Sequence, residues 1–516
     1  MNALLVYPEW PDTYWSFKHA LPFQGKRSAY PPLGLLTIAS QLPGHWKKRL
    51  IDTNVRQLSD SDLRWADVVM LSGMLVHRRE ILDVLARCRT RGVRTVVGGP
   101  ITSSVDELPL AADHVVSGEA EDLMPALVAD LEAGAAQPFY KAHTLPDMSK
   151  TPLPDLDLVS LRPYSAIGIQ YSRGCPFNCE FCDIIEIYGR RPRTKSPAQV
   201  VAELELLYDR KWRGSVFLVD DNFIGNKKKV KELLPVLGDW NSQHGRPFTF
   251  FTEASLNLAD DSELLEMMKA AGFIRVFLGI ETPVEASLKE AQKLQNTRRS
   301  LLESVHHIQS FGIEVMAGFI VGFDNDPDDV FDRQVDFIDK SAIPLAMVGL
   351  LQALPGTQLY RRLVKEGRLV TEGTGDNMET RLNFIPKMDP QRLIDGYRSI
   401  LKRIYERDAY YDRVRRFLSQ YQPANHVRHQ VCDYLAFARS LLKQGVLGHQ
   451  RSSYWKFIYD AATRYRHAFG TAITLAIMGY HFEKITENVL RLDPAAEAGL
   501  VGLLEPGMQQ SAWPAS

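Results

Sequence analysis

The chain has 516 residues, long enough for two or three domains with full-sized cores. With 45% hydrophobic and 24% charged residues it has the composition of an ordinary globular protein, and a formal net charge of −1 lacks the basic excess of a nucleic-acid surface. Five scattered cysteines make no disulfide framework and point to a reducing cytoplasm, the start Met1-Asn-Ala-Leu-Leu-Val-Tyr-Pro-Glu9 is not patterned as a signal peptide, and the longest apolar run, Thr471 to Tyr480, is too short to span a bilayer.

From residue 1 to 135 short apolar runs alternate with amphipathic segments. Strands are predicted at Leu4 to Tyr7, Arg49 to Asp52, Val68 to Ser72, Thr95 to Gly98 and His114 to Ser117, with helical patterns such as Ile81 to Cys88 and Leu123 to Leu131 between them. Such alternation gives an α/β fold with a doubly wound parallel sheet, which binds ligands at the carboxyl ends of its strands. Those ends read Pro8, Ser72-Gly73-Met74, Gly98-Gly99-Pro100 and Gly118-Glu119-Ala120-Glu121. Glycines there either let the backbone approach a bulky ligand or only make tight turns, and the residues leave both readings open. Neither G-x-G-x-x-G nor a Walker phosphate loop is present. Residues 136 to 163, rich in Pro and Asp, read as a linker.

Next comes Tyr171-Ser-Arg-Gly-Cys175-Pro-Phe-Asn-Cys179-Glu-Phe181-Cys182, three of the five cysteines at C-x-x-x-C-x-x-C spacing. Thiolates are soft ligands, and three on one loop can hold three irons of a cubane while leaving the fourth open. A structural zinc site would want a fourth Cys or His nearby, and the nearest histidines, His143 and His244, lie far outside the loop. Cys88 and Cys432 read as small buried apolar residues.

From 164 to 362 strand and helix alternate again, with strands predicted at Ile167 to Tyr171, Val216 to Val219, Phe248 to Thr252, Arg275 to Leu278, Val315 to Val321 and Met347 to Leu350. Ser196-Pro197-Ala-Gln199 carries an N-cap, a first-turn proline and a capping-box partner, and Gly272 suits a left-handed helix cap. Acidic residues follow successive strands: Asp220-Asp221-Asn222, Glu253-Ala-Ser255 and Glu281. Such residues either cap the next helix or face a ligand. The run Arg190-Arg-Pro-Arg193-Thr-Lys195 steadies an anion or lies solvated. From 363 to 516 the pattern is helical, for instance Arg392 to Tyr405 and Asp412 to Leu418. These basic amphipathic stretches either pack on a core or dock a membrane surface or an acidic partner, and Pro506 to Ser516 reads as a loose tail.

The cysteine spacing, with Phe181 before the third cysteine, resembles the radical S-adenosylmethionine (SAM) superfamily. That resemblance implies a partial (β/α)6 barrel, a 4Fe-4S cluster on Cys175, Cys179 and Cys182, and SAM on the open iron, cleaved to an adenosyl radical. It implies a SAM site made by Phe181, Asp220, Asp221, Glu253, Ser255, Glu281, Gly318 and Ile320, with the Asp220 and Asp221 region at the ammonium, Glu253, Ser255 and Glu281 at the ribose or ammonium, and the Gly318 to Gly322 backbone at the adenine; which carboxylate meets which group stays open.

The preceding domain, with Pro31-Pro-Leu-Gly-Leu35 and its two glycine turns, resembles the cobalamin-binding class of that superfamily. The resemblance implies a corrin against Pro8, Ser72, Gly73, Met74, Gly98, Gly99, Gly118 and Glu119. No D-x-H-x-x-G is present to supply a histidine to cobalt. His77 is one candidate for the lower face, and an apolar cover by Met74 or Leu75 is the other. The domain order and the aromatic start, Trp10, Tyr14, Trp15 and Phe17, look closest to the hopanoid C-2 methylase group. The function implied is methyl transfer to an unactivated carbon of an apolar, lipid or polycyclic substrate. Alternatives are a radical cyclase or coupling enzyme, and a non-catalytic iron–sulfur or corrinoid carrier. The partners implied are a small molecule or lipid and an electron donor such as ferredoxin or flavodoxin, with peripheral membrane association as a further option.

Overall fold

A computed structural model describes residues 1–103, 108–423 and 430–491. Its frame is a pair of six-stranded parallel sheets. In the first, β1 (Asn2–Tyr7), β2 (Lys47–Asp52), β3 (Val68–Ser72), β4 (Arg94–Gly98), β5 (His114–Ser117) and β6 (Phe139–Lys141) lie in the order β2-β1-β3-β4-β5-β6. The strands are continuous apolar runs because both faces are covered: Leu4, Val6 and Leu71 belong to one buried cluster, and Ala3, Leu5 and Met70 to another. Strand order reverses at β1 and β3, where open α/β sheets take ligands. β6 corrects the expected linker: Phe139 to Lys141 pairs with β5, so the first sheet runs past residue 135.

The second sheet begins with β7 (Ile167–Ile169), after which the antiparallel ribbon of β8 (Ser172–Arg173) and β9 (Arg193–Thr194) brackets the cysteine loop. β10 (Gly214–Leu218), β11 (Phe248–Ala254), β12 (Phe273–Glu281), β13 (Glu314–Val321) and β14 (Leu345–Leu350) follow in the order β7-β10-β11-β12-β13-β14, all parallel. Sequential parallel strands with helical crossovers on one side curl into an open barrel. The period-two pattern separates its walls. In β11, Phe248, Phe250, Thr252 and Ala254 are buried beneath helices, while Thr249, Phe251 and Glu253 keep partial exposure on the inner side. The helix Pro197–Asp209 starts with the expected capping box, Ser196 N–H donating to Gln199 Oε1 at 2.9 Å. Helix Ser262–Ala271 ends at Gly272 with φ +111°, where an added Cβ would sit 2.9 Å from Asn241 Nδ2.

The C-terminal helices settle the reading of the basic stretches. Helix Pro390–Tyr405 buries Leu393, Tyr397, Ile400 and Leu401, and Tyr405 donates to the Ala346 carbonyl of β14 at 2.6 Å. In helix Arg407–Gln420, Arg413 is fully buried, its guanidinium donating to the carbonyls of Ile343 and Ile404. Both helices pack on the core, so neither is the membrane-facing element that their basic character allowed. The apolar run at Thr471 lies in helix Phe469–Arg491, and no described helix is long and apolar enough to cross a membrane. The tail expected at Pro506 to Ser516 lies outside the described residues.

The N-terminal aromatics join these parts. Tyr14 stacks on Phe482 at 4.8 Å, Trp15 meets Phe277 of β12 edge-on at 5.0 Å, and Trp10 packs on His77 at 4.5 Å.

Candidate active site

The cysteine loop crosses the gap between the carboxyl ends of the two sheets, and its backbone is clamped from several directions. A loop of this kind leaves N–H groups without a ladder, and they need acceptors. Asp220, just past β10, supplies two: Tyr171 N–H donates to its Oδ1 and Ser172 N–H to its Oδ2, each at 2.8 Å, and Ser172 Oγ adds a third bond at 2.6 Å. Asp221 accepts from Gly174 N–H at 2.9 Å, and Asn222 Nδ2 lies 3.6 Å from Cys175 Sγ. Burial pushes the Asp220 carboxyl up to about 7 and that of Asp221 to about 6. Asp220 is only 1% exposed, and both of its oxygens accept from this loop.

On the far side, Glu180 accepts from Arg362 Nε at 2.6 Å, and Gln295 Nε2 approaches Cys179 Sγ at 3.6 Å. Toward the first sheet, Arg173 pairs with Glu119 at 2.5 Å and Glu121 at 2.6 Å, and Arg193 also pairs with Glu119. Glu119 is therefore engaged by the cysteine loop and its flanking ribbon. Arg193 and Lys195, the latter paired with Glu203, take neither the anion-binding nor the solvated role left open for the basic run.

The three thiols lie within reach of each other electrostatically. Burial raises Cys182 well above the usual thiol range, with Asp183, Cys179 and Cys175 adding to it, and burial likewise raises Cys175. Beside them lies Lys293, which sequence reasoning missed. Burial works against its charge, but Glu281 and the thiols of Cys179 and Cys182 outweigh burial and hold the ammonium above its usual range. Lys293 pairs with Glu281, whose φ of +66° is unusual for a side-chain-bearing residue, and sits 5.8 Å from the centre of the Phe181 ring. Phe181 and Ile320 pack at one apolar cluster with Phe323, while Ser255 Oγ donates to Asn257 Oδ1 at 2.6 Å. A Cβ on Gly318 would meet Phe277 at 3.0 Å. Glu253 stands apart. Burial, with Asp221 and Asp220 nearby, pushes its carboxyl up to about 8, and it has no hydrogen-bond or ion-pair partner among the described residues.

At the first sheet's strand ends the glycines are required by packing. A Cβ on Gly99, at φ +87°, would lie 2.5 Å from Ser72 Oγ, one on Gly73 would lie 2.8 Å from Ile81, and one on Gly118, at φ +93°, would lie 2.8 Å from Ala142 Cβ. Pro8 is buried, Gly98 lies beside Val116, and Met74 projects into the open at 49% exposure. His77 is buried, and burial depresses its pKa to about 4. Its Nδ1 accepts from Met74 N–H at 3.1 Å, which puts the ring proton on Nε2 and leaves that nitrogen without a lone pair for a metal. This tautomer favours the apolar cover over the histidine.

Family models match the chain in three places: B12 binding domain at residues 27–128, Radical SAM superfamily at 169–338, and a domain of unknown function at 357–493. An uncharacterized methyltransferase of Synechocystis sp. is 42% identical over 95% of this chain and 92% of its own length. The hopanoid C-2 methylase of Rhodopseudomonas palustris is 36% identical over 88% of each chain. The chain belongs to the cobalamin-binding radical SAM family. It is an enzyme of the methyltransferase group in that family, with a 4Fe-4S cluster, SAM and cobalamin as its cofactors. The solved structure of the cobalamin-dependent SAM radical enzyme OxsB shares the fold, with a TM-score of 0.59 at 16% identity, over 98% of this chain and 82% of that one.

The residues of the enzyme fit these groups. Among the described residues no three His, Cys, Asp or Glu side chains converge on one point. A cubane asks for no such convergence, because each thiolate ligates its own iron. Buried thiols held above their usual pKa must lose protons to metal, so cluster assembly releases protons into a loop already clamped in shape. Met74 and the packed glycine turns form an apolar face at the first sheet's strand ends, chemically suited to a corrin. A cavity of about 1430 Å³ enters between the N-terminal aromatics, the amino ends of β10 to β13 and the C-terminal helices, and continues along the inner barrel wall past Phe217, Phe251 and Phe277 to Glu253. Cys432, expected to be buried, is half-buried at the mouth of this cavity.

Proposed function

We propose that the enzyme methylates an unactivated carbon of an elongated apolar substrate, polycyclic or lipid, held in the barrel cavity. The observation that carries this reading is the lining of the cavity: it follows the inner wall from the amino ends of β10 to β13 as far as Glu253, its middle is aromatic, and Phe217 and Phe251 stack there at 4.7 Å. The relative of R. palustris is named for a hopanoid substrate, which has the same chemical character. A small polar substrate would leave most of this volume wet.

When bound, the cluster and SAM supply a hydrogen-abstracting radical, and cobalamin supplies a transferable methyl. The chain's part is to position and to exclude. Cys175, Cys179 and Cys182 hold the cluster on a loop whose shape Asp220, Asp221 and Asn222 fix. Glu253, a half-buried acid lacking a protein partner among the described residues, is the proposed acceptor for the SAM ammonium, since a cation there would offset its desolvation. Lys293, paired with Glu281 beside the cluster, is the proposed holder of the SAM carboxylate, with Phe181, Ile320 and Gly318 near the adenine and Ser255 near the ribose. Pro8, Ser72, Gly73, Met74, Gly98, Gly99 and Gly118 are the proposed corrin cradle. The reductant we propose is a ferredoxin or flavodoxin in a reducing cytoplasm.

The test is to incubate reconstituted enzyme, under reductant, with methyl-labelled SAM and fractionated lipids. Label in an apolar product is expected. Label confined to polar metabolites would overturn the substrate class.

A further inference from the structure

Helix Val431–Ser440 runs into a wide π turn, Leu441–Val446, and together they are inside out. Their buried side carries small or polar residues: Ala436, Ser440, Gln444 and Gly445. This side is well satisfied, with Ser440 Oγ 2.8 Å from Tyr454 Oη and Gln444 Nε2 donating to Ser440 Oγ at 2.9 Å. The outward side carries Val431 at 75% exposure, Tyr434 at 67% and Leu447 at 69%, with Leu435, Leu442 and Val446 between them. Val431, Tyr434 and Leu435 are spaced by three and four, and Leu442, Val446 and Leu447 follow one to two turns on, so these residues share the outward side. The next helix, Arg451–Thr463, extends the surface with exposed Trp455 and Tyr459, and Trp455 Nε1 donates to the Gly445 carbonyl at 2.9 Å. Large apolar side chains exposed together on one side mark an interaction site.

Two further observations say what it meets. The stripe is continuous with the mouth of the barrel cavity, because Tyr434 lines both. The same mouth carries Lys26, Arg162, Lys211, Arg213 and Arg246, against Asp433 as the acid at that rim. Apolar side chains beside a cationic rim, with Trp and Tyr at the margin, match the chemistry of an anionic bilayer surface.

We infer that this face docks on an anionic lipid bilayer. Val431, Tyr434, Leu435, Leu442, Val446 and Leu447 enter the acyl boundary, Trp455 and Tyr459 lie at headgroup level, and the cationic rim meets the phosphates. The cavity mouth then opens onto the membrane, so an apolar substrate passes from bilayer to barrel without crossing water. This last step rests on the substrate class proposed above; the docking does not.

The test is sedimentation of the full-length, cluster-loaded protein with vesicles of phosphatidylcholine alone or mixed with phosphatidylglycerol, without substrate. Pelleting with the mixed vesicles is expected, weakened at least about tenfold by the double variant Leu442→Ser, Leu447→Ser and by raised salt. SAM cleavage should be unchanged in that variant, which keeps misfolding apart from lost docking. Charge reversal by Arg162→Glu with Lys211→Glu should remove the preference for phosphatidylglycerol. Equal pelleting of wild type and the serine variant would overturn the inference. So would a wild-type dimer that ignores vesicles and falls to monomer in that variant, since the stripe would then be a contact between two copies. Vesicle binding without any methylated lipid would leave the docking standing and count against the substrate class alone.

Discussion

The two parallel sheets meet the cysteine loop with opposite chemistry. The first ends in glycine turns packed on their own side chains, an exposed Met74 and a neutral His77; the second ends in four acids, Asp220 and Glu281 buried and Asp221 and Glu253 half-buried. One topology thus offers an apolar face suited to a broad macrocycle, and the other offers charge suited to a zwitterion such as SAM. The difference lies in the first few residues after each strand, which are free to vary because the strands themselves are fixed by covered apolar runs. Between the two, Glu119 and Arg173 are the charged groups that tie one end to the other.

The comparison is broken most completely at the cysteines. Replacing Cys175, Cys179 and Cys182 by Ala should abolish 5′-deoxyadenosine formation while corrinoid binding, measured optically, persists. Next is the tie: Arg173→Met leaves the Glu119 and Glu121 carboxylates short of a buried partner and should cost about 3–5 kcal/mol of stability in denaturant unfolding. In Glu121→Gln with Arg173→Met much of that loss should be recovered, because Glu119 keeps Arg193 and the uncompensated charge on Glu121 is removed.

Glu253 comes third. Its folded pKa of about 8, against an ordinary 4.5, means the cofactor-free folded enzyme keeps a proton that the unfolded chain has lost between those values. Stability therefore falls as pH rises through that window. Glu253→Gln should flatten this dependence in thermal melts, leaving the share due to Asp220 and Asp221. The same variant should weaken SAM binding about tenfold or more by calorimetry, the loss of one charge-assisted hydrogen bond at about 1.5–3 kcal/mol. The smallest effect is expected at His77. His77→Phe should change stability by about 1 kcal/mol and leave the cobalt spectrum unmoved, because a ring protonated on Nε2 donates nothing to the metal.

Much of the fold was legible because covered strands write themselves as short apolar runs, and the five strands expected in the first sheet and six in the second all form. β6 was not, since Phe139-Tyr140-Lys141 is brief and exposes every other residue. The cysteine spacing is plain in the sequence, but the hydrogen bonds of Asp220 are not: an acid after a strand serves equally a ligand or the orphaned N–H groups of a neighbouring loop, and only the fold brings Tyr171 and Ser172 to it. Lys293 and Gln295 lie more than a hundred residues past the cysteines they adjoin, and no spacing rule connects them. The stripe from Val431 to Leu447 has the periodicity of a core-facing helix, and periodicity does not say which face is inside.

The direct measurement is anaerobic reconstitution with iron, sulfide and hydroxocobalamin, followed by dithionite and methyl-labelled SAM, reading 5′-deoxyadenosine by mass spectrometry and corrinoid methylation by its optical spectrum. Both signals are expected from wild type, and bound corrinoid without deoxyadenosine from the triple cysteine variant. Deoxyadenosine from protein that never retains corrinoid, or neither signal from protein shown to hold its cluster, would contradict a site built between two sheets with one cofactor on each.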